Sequence, residues 1–148
     1  MLSSACEIVV HMPTVAGHRA LFAAVGWTPS APPAAEQALR NSLLGVVALY
    51  EGEVVGMARV AGDGGKFFYA QDFAMQPAHQ GQGIGRSIMD HVPRWIKIHV
   101  PHEPFVGLFA TQAAVPFYRR YGFDEQREVL SGMWTVLPAD NRPAPSSP

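Results

Sequence analysis

The sequence predicts an α/β domain of the α+β type, built on a central, mixed and mostly antiparallel sheet. Strand-like and helix-like segments follow one another in the order β, α, α, three strands, α, β, α, β. Short glycine turns join the three consecutive strands, which is typical of an antiparallel meander. A long run with apolar residues at helical spacing follows the meander. These patterns together predict helices packed against one central sheet.

Hydrophobic periodicity and turn residues place the individual elements. Strands are predicted over residues 5–11, 45–50, 54–60, 67–75, 105–110 and 133–137. Helices are predicted over residues 13–26, 34–43, 84–99 and 113–121, with a proline-rich loop at 27–33. Pro93 falls inside the long helix and is expected to kink or interrupt it.

The length of the chain, 148 residues, suits one domain with a sizeable core. We predict a single domain over residues 1–137. Residues 138–148 contain four prolines and two serines, and we predict that this tail is disordered. The start of the chain lacks the features of a signal peptide, and no apolar run approaches the ~20 residues of a membrane span. These observations predict a cytoplasmic protein without membrane association.

Charge and cysteine content exclude several classes of function. The formal net charge is −1, which argues against nucleic-acid binding through a basic surface. The single cysteine, Cys6, excludes a disulfide scaffold and a cysteine-based zinc site. We predict no metal site and assign no role to five histidines that lack metal-ligand spacing, namely His11, His18, His91, His99 and His102.

A glycine-rich loop before the long helix is the main candidate for a binding site. Gly81, Gly83 and Gly85 let the backbone approach a bulky group, and the N–H groups at a helix start suit a phosphate. A dinucleotide-binding fingerprint would need its third glycine at Arg86, and a P-loop would need a glycine at Gln80. The remaining phosphate-binding pattern is Gln/Arg-x-x-Gly-x-Gly/Ala, met by Gln80-Gly-Gln-Gly83-Ile-Gly85. A flexible loop without a ligand is the alternative.

A second motif favours the phosphate-binding pattern over a flexible loop without a ligand. Met75-Gln-Pro77 precedes the loop, and Ala114-Val-Pro-Phe-Tyr118-Arg-Arg-Tyr-Gly-Phe123 follows later in the chain. With these two motifs and the strand order between them, the sequence resembles the GCN5-related N-acetyltransferases, the GNAT superfamily, over residues 45–123. The resemblance implies the GNAT fold, with six to seven strands and about four helices.

The resemblance also implies a ligand, acetyl-CoA or a related acyl-CoA. Family members bind the pyrophosphate through backbone N–H groups of the glycine loop, and pair the pantetheine with the strand before it. A strand that is splayed open at its end offers unpaired N–H and C=O groups to the pantetheine amides. The implied cofactor-binding residues are Phe73, Ala74, Met75, Gln80, Gly81, Gln82, Gly83, Ile84, Gly85, Arg86, Thr111 and Phe117.

Acetyl transfer from a thioester to an amine needs an acid for the leaving thiolate and loss of a proton from the amine. Tyr118 occupies the position of the family's tyrosine, which commonly serves as that acid; the alternative is ordinary aromatic packing beside Phe117. Asp72 is the best candidate base, because it is the only carboxylate in an apolar strand and burial would raise its pKa. Three alternatives remain. In the first, Asp72 is a structural carboxylate that accepts hydrogen bonds from a loop or from Arg59. In the others, a water chain or a weaker base, Tyr69 or His79, removes the proton.

The chain departs from the family where an asparagine is common, since Thr111 occupies that position and offers one hydrogen bond in place of two. Pro93 and Pro116 are also unusual. The expected acceptor is a small amine or a peptide amine, in a pocket for which Phe22, Trp27, Met133 and Trp134 are candidates. A non-catalytic acyl-CoA-binding module and an acetyltransferase acting on charged tRNA are rival functions. Family members often form homodimers, and the sequence leaves this open.

Overall fold

A computed structural model describes residues 6–137 of the chain. The predicted disordered tail at 138–148 lies outside the described residues. The strands are β1 (Cys6–Val9), β2 (Leu44–Tyr50), β3 (Glu53–Gly62), β4 (Phe67–Met75) and β5 (Phe105–Gly107). The helices are α1 (Val15–Ala24), α2 (Pro32–Arg40), α3 (Ile84–His99) and α4 (Val115–Arg119), with 3-10 turns at Pro77–His79 and Gln112–Ala114.

The five strands form one mixed sheet in the order β1-β2-β3-β4-β5. The first four strands pair antiparallel, and β5 pairs parallel with β4. This confirms the predicted α+β architecture with a mostly antiparallel sheet, although the described residues contain five strands where six to seven were expected. Residues 133–137, predicted as the last strand, form none, and Met133 and Trp134 are 88% and 77% exposed.

The turns of the meander are those that the sequence predicts. Glu51 and Gly52 both have positive φ angles, of 50° and 83°, which is the geometry of a two-residue hairpin turn between β2 and β3. Between β3 and β4, the Asp63 side chain accepts hydrogen bonds from the N–H groups of Gly65, Lys66 and Phe67. An aspartate is suited to such a turn because its carboxylate replaces the missing backbone acceptors.

Each face of the sheet is covered by a different pair of helices. On one face, α3 and Tyr118 of α4 pack on residues such as Val46, Val60 and Phe68. On the other face, Leu21 of α1 packs with Val47, Met57 and Ala74. Strand β4 is thus covered on both sides, as its apolar sequence predicts.

A β-bulge interrupts the pairing of β3 and β4. The register runs from Met57 opposite Ala74 to Arg59 opposite Gln71, so Asp72 and Phe73 together oppose one residue. Asp72 has a φ of 54°, in the left-handed region that non-glycine residues rarely adopt. Because of the extra residue, Phe68 and Phe73 pack against the same cluster although their positions differ by five, an odd number that would place them on opposite faces of a regular strand.

Several element boundaries differ from the prediction for local reasons. Helix α2 begins at Pro32, inside the predicted loop, since proline suits the first helical positions. Helix α3 continues through Pro93 from Ile84 to His99, so the expected interruption does not occur. Strand β5 ends at Gly107, and α4 is shortened by the 3-10 turn before it. No helix within residues 6–137 is long and apolar enough to cross a membrane.

Candidate active site

The glycine loop presents free backbone donors at the start of α3. Gly81 and Gly83 have φ angles of 77° and 79°, and Gly83 is the N-cap of the helix. The first hydrogen bond of α3 runs from the Ser87 N–H to the Gly83 carbonyl over 3.1 Å. The N–H groups of Ile84 to Arg86 therefore precede the helical ladder and have no acceptor within it. An anion at this point would accept these hydrogen bonds and meet the positive end of the helix dipole.

The predicted loop residues contribute in different ways. The Gln80 side chain donates a hydrogen bond to the Met75 carbonyl over 3.2 Å, which holds the loop against the end of β4. A Cβ atom at Gly85 would lie 3.3 Å from the Phe73 ring, so this glycine permits close packing of α3 on β4. Gly81, Gln82, Gly83 and Arg86 are exposed, and Ile84 is buried in the core.

Strands β4 and β5 diverge beside this loop. Their pairing ends at Tyr69 and Gly107, whereas β4 continues to Met75. The β5 side of residues 71–75 is therefore not paired by β5, as expected of a splayed strand. We refer to this unpaired side of β4 as the opening between β4 and β5. Phe73, Ala74 and Met75, predicted to contact a ligand, lie on this part of β4, and Thr111 lies in the exposed loop beyond β5.

An aromatic cluster connects β4 with α4 at this opening. The Phe73 and Phe117 rings stack with centroids 5.3 Å apart, and the Tyr118 ring lies edge-on to Phe73 at 5.9 Å. Tyr118 is only 8% exposed, and burial raises its pKa to about 12. Burial is the only cause of this shift, and no hydrogen bond to another group within residues 6–137 contributes to it. The structure thus brings together Phe73, Phe117 and Tyr118.

Asp72 is held in an ion pair. Its Oδ2 atom lies 2.5 Å from Nε of Arg59 and 3.0 Å from Nε2 of His18. The Arg59 guanidinium also donates to the Ser42 hydroxyl over 3.1 Å. Although burial alone would raise the pKa of Asp72, the hydrogen bonds from His18 and Arg59 and the charge of Arg59 lower it below its usual value. The predicted rise in this pKa is therefore wrong. The alternative, a structural contact between Asp72 and Arg59, is present.

His18 is the residue of this site that the sequence analysis missed. It is 3% exposed, it lies on the sheet-facing side of α1, and it is the only residue of the described chain that is both polar and fully buried. The signal was available, because Val15, His18, Leu21, Phe22 and Val25 recur at helical spacing on the face of α1 that packs on the sheet. A histidine in an apolar stripe of this kind needs a buried partner, and Asp72 provides it.

The four aromatic or apolar residues predicted to line an acceptor pocket fall into two groups. Phe22 lies against the His18 ring, with centroids 4.4 Å apart, and Trp27 packs edge-on against Phe22 at 5.1 Å. Trp134 instead contacts Phe109 at 5.5 Å. A cavity of about 650 Å³ runs along β5, α4 and residues 124–134, and Tyr118 lines it. None of the glycine-loop residues lines it, so the cavity does not extend to the glycine loop.

Comparison with known proteins identifies the family. Residues 42–125 match the model of the acetyltransferase (GNAT) domain, which nearly coincides with the region of resemblance at 45–123. The chain belongs to the GNAT family of acetyltransferases.

Individual relatives agree with this assignment. The chain is 31% identical over 127 residues to an uncharacterized ycf52-like N-acetyltransferase of Prochlorococcus marinus, covering 82% of this chain and 63% of the relative. It is 30% identical to the histone acetyltransferase TAP1 of Glycine max, covering 78% of this chain and 54% of that protein. The crystal structure of a Staphylococcus aureus protein superposes with a TM-score of 0.83 at 32% identity, covering 89% of this chain and 99% of that one. The chain thus spans less than two thirds of the length of the first two relatives.

Proposed function

We propose that this GNAT protein transfers an acetyl group from acetyl-CoA directly to a primary amine. The observation that carries the proposal is the opening between β4 and β5. The free N–H groups of the α3 start lie at one end of this opening, and the Tyr118 hydroxyl group lies beside it. A phosphate-binding end and a proton donor are the two features that acyl transfer from a phosphate-bearing thioester requires.

The residues around the glycine loop fit the pyrophosphate of coenzyme A. Ideal Cβ positions at Gly81 and Gly83 meet no atom within 4 Å, so the space in front of the loop is open to a ligand. Arg86 adds a positive charge in the first turn of α3. A cation there opposes the helix dipole in the free protein, and a bound anion would compensate both positive charges. The Phe73 to Met75 backbone would hold the pantetheine amides.

Acetyl-CoA, when bound, would supply a thioester, whose carbonyl carbon the amine attacks and whose sulfur leaves as the thiol of coenzyme A. Tyr118 is suited to protonate the leaving sulfur, because its pKa of about 12 keeps the hydroxyl group protonated at neutral pH. Burial of its ring against Phe73 and Phe117 also fixes the direction of the hydroxyl group. Asp72 remains a candidate base from the sequence analysis, but its lowered pKa and its two partners make it a weak proton acceptor.

The acceptor is proposed to be a small amine or a peptide amine. The Phe22 and Trp27 pair favours an amine with an apolar or aromatic side, and the name of the Glycine max relative suggests a protein amine. The net charge of −1 gives no support for nucleic acid as a partner. A cytoplasmic location and a homodimer remain predictions from the sequence and the resemblance.

The proposal is tested by following thiol release from acetyl-CoA over a panel of alkylamines, arylalkylamines and lysine peptides. We expect turnover on at least one class and a 10²–10⁴-fold lower kcat for Tyr118→Phe, the usual contribution of a positioned acid. Calorimetry should give both proteins the same Kd for coenzyme A. Tight coenzyme A binding without turnover on any amine would instead support the non-catalytic acyl-CoA-binding module.

A further inference from the structure

One buried polar atom of the site has no partner. The Nδ1 atom of His18 is inaccessible to solvent and makes no hydrogen bond to any described residue, whereas Nε2 lies 3.0 Å from Asp72. Buried polar atoms are almost always hydrogen-bonded, and exceptions often mark a functional site. In the described part of the chain this is the only such side-chain atom. The unpartnered Nδ1 atom of His18 therefore lies in the candidate active site.

The contact with Asp72 determines which nitrogen of His18 carries the proton. The lowered pKa of Asp72 keeps its carboxyl group ionised, and an ionised carboxylate only accepts hydrogen bonds. The Nε2 atom must then be the donor. In the neutral ring this leaves Nδ1 with an unshared electron pair and no donor facing it. An acceptor oriented in this way by a carboxylate is the arrangement of a general base with its orienting partner.

The position of His18 is complementary to that of Tyr118. Asp72 and Phe73 are adjacent in the bulge of β4, and their side chains point to opposite faces of the sheet. Asp72 meets His18 of α1 on one face, and Phe73 meets Tyr118 of α4 on the other. Direct transfer needs a base for the incoming amine and an acid for the leaving sulfur, on opposite sides of the carbonyl carbon. The bulge places a candidate for each role on its own side.

The groups around His18 show how a ligand and a proton would reach it. The charged and titratable groups facing the pair are Arg59 of β3 and Tyr69 of β4. On α2, Glu36 and Arg40 pair with each other at the surface. Phe22 covers one face of the imidazole, and Trp27, which is 45% exposed, covers Phe22. A small amine would therefore reach Nδ1 only when Phe22 and Trp27 move aside, which the proposal requires.

We propose that His18 is the general base of the reaction, with Nδ1 accepting the proton of the attacking amine and Asp72 acting as its positioning residue. The inference rests on the proposed function. In the transfer, the bond between nitrogen and carbonyl carbon forms and the carbon–sulfur bond breaks. His18 takes one proton from nitrogen, Tyr118 gives one to sulfur, and solvent restores both groups. No further reactant is needed.

The test is the variant His18→Gln, in which the amide nitrogen can still donate to Asp72 but no basic nitrogen replaces Nδ1. We expect kcat/KM to fall 10²–10⁴-fold, with an unchanged Kd for coenzyme A. The acceptor should be a weakly basic amine that is uncharged throughout the pH range. With that acceptor, the pH profiles of the parent and the variant should differ in shape, because only the parent carries the imidazole. His99→Gln, on the opposite face, is the matched control and should behave as the parent.

A second readout does not depend on turnover. Long-range ¹H–¹⁵N spectra of the parent protein should show His18 with the proton on Nε2 and an unprotonated Nδ1. A proton on Nδ1 would overturn the proposal. So would a pH profile of His18→Gln with the same shape as that of the parent, and in that case the acetyltransferase function itself would stand. A parent protein that acetylates no amine would overturn both proposals together.

Discussion

The Nε2 atom of His18 and the Oδ2 atom of Asp72 lie 3.0 Å apart, and their contact joins helix α1 to the bulge of strand β4. Asp72 has a φ of 54°, a conformation that costs of order 1–3 kcal/mol and persists only where its surroundings enforce it. Here a buried ion pair with Arg59 and the hydrogen bond from His18 enforce it. The strained residue is thus held by partners from both α1 and β3.

Replacement of Asp72 by asparagine should destabilise the protein by about 3 kcal/mol at pH 7, because Arg59 would lose its buried partner. Asparagine tolerates the left-handed backbone, so the effect reports on the charge. The pKa of Asp72 is lower in the folded than in the unfolded state, so its stabilisation is present above the ordinary value of 3.8 and is lost as the pH falls through the folded pKa. Urea unfolding should therefore show that the difference in unfolding free energy between the parent and Asp72→Asn becomes smaller below pH 3.8.

Asp124→Asn is the control for that experiment. Asp124 is exposed and accepts one hydrogen bond, from the Glu125 N–H, so its replacement should change stability by no more than about 0.5 kcal/mol. A difference in unfolding free energy between Asp72→Asn and the parent that stays constant from pH 7 to pH 3 would contradict the charge-based account.

The effect of Tyr118→Phe should be independent of pH over the range in which the protein is assayed. Burial raises the pKa of Tyr118 to about 12, so the hydroxyl group remains protonated between pH 7 and pH 10. The ratio of the kcat values of the parent and the variant should stay constant across this range. A ratio that falls toward 1 by pH 10 would show that Tyr118 ionises there and would remove its role as acid.

Tyr121→Phe is a matched control from the same motif. The Tyr121 hydroxyl group lies 3.0 Å from Oδ1 of Asp90 and 3.3 Å from the Arg86 carbonyl oxygen, both on α3. Its loss should leave kcat unchanged and cost about 1 kcal/mol of stability, the usual net value of one hydrogen bond.

Substitution of Gly83 by alanine should reduce both stability and ligand binding, whereas the same substitution at Gly64 should reduce stability alone. Gly83 and Gly64 have φ angles of 79° and 80°, and an added Cβ would meet no atom within 4 Å at either position. Both Gly83→Ala and Gly64→Ala should therefore lose about 1–2 kcal/mol of unfolding free energy. Only Gly83→Ala should weaken coenzyme A binding in calorimetry, by about tenfold or more, because its methyl group enters the space in front of the α3 donors. Equal Kd values for the two variants would place the ligand elsewhere.

Replacement of Arg86 by glutamine should change stability and binding in opposite directions. A cation in the first turn of a helix opposes the dipole, so Arg86→Gln should stabilise the free protein by about 0.3–1 kcal/mol. The same change should weaken coenzyme A binding and reduce its dependence on salt, since one positive charge near the phosphates is removed. Arg94→Gln, in an exposed position further along α3, should change neither property. Weaker binding of equal size in both variants would exclude a local role for Arg86.

The elements predicted best are those whose signal is local. Strand β4 and helix α3 have the predicted bounds, because a nine-residue apolar run between turn residues and a long helical stripe after glycines leave little choice. Residues 133–137 have the apolar composition of a strand and form none, since a strand also requires a neighbour to pair with. Pro93 interrupts nothing, because packing of Ile88, Met89 and Val92 on the sheet compensates for one missing hydrogen bond.

The sequence by itself determined the family, the glycine loop and the tyrosine of α4, because these depend on residue types at short, fixed spacing. The tertiary structure decided the state of Asp72, which depends on two residues distant in the chain, His18 and Arg59. Burial alone raises the pKa of a carboxyl group, and only the folded protein shows that the two partners reverse that shift. The unpartnered nitrogen of His18 likewise exists only once α1 packs on the bulge of β4.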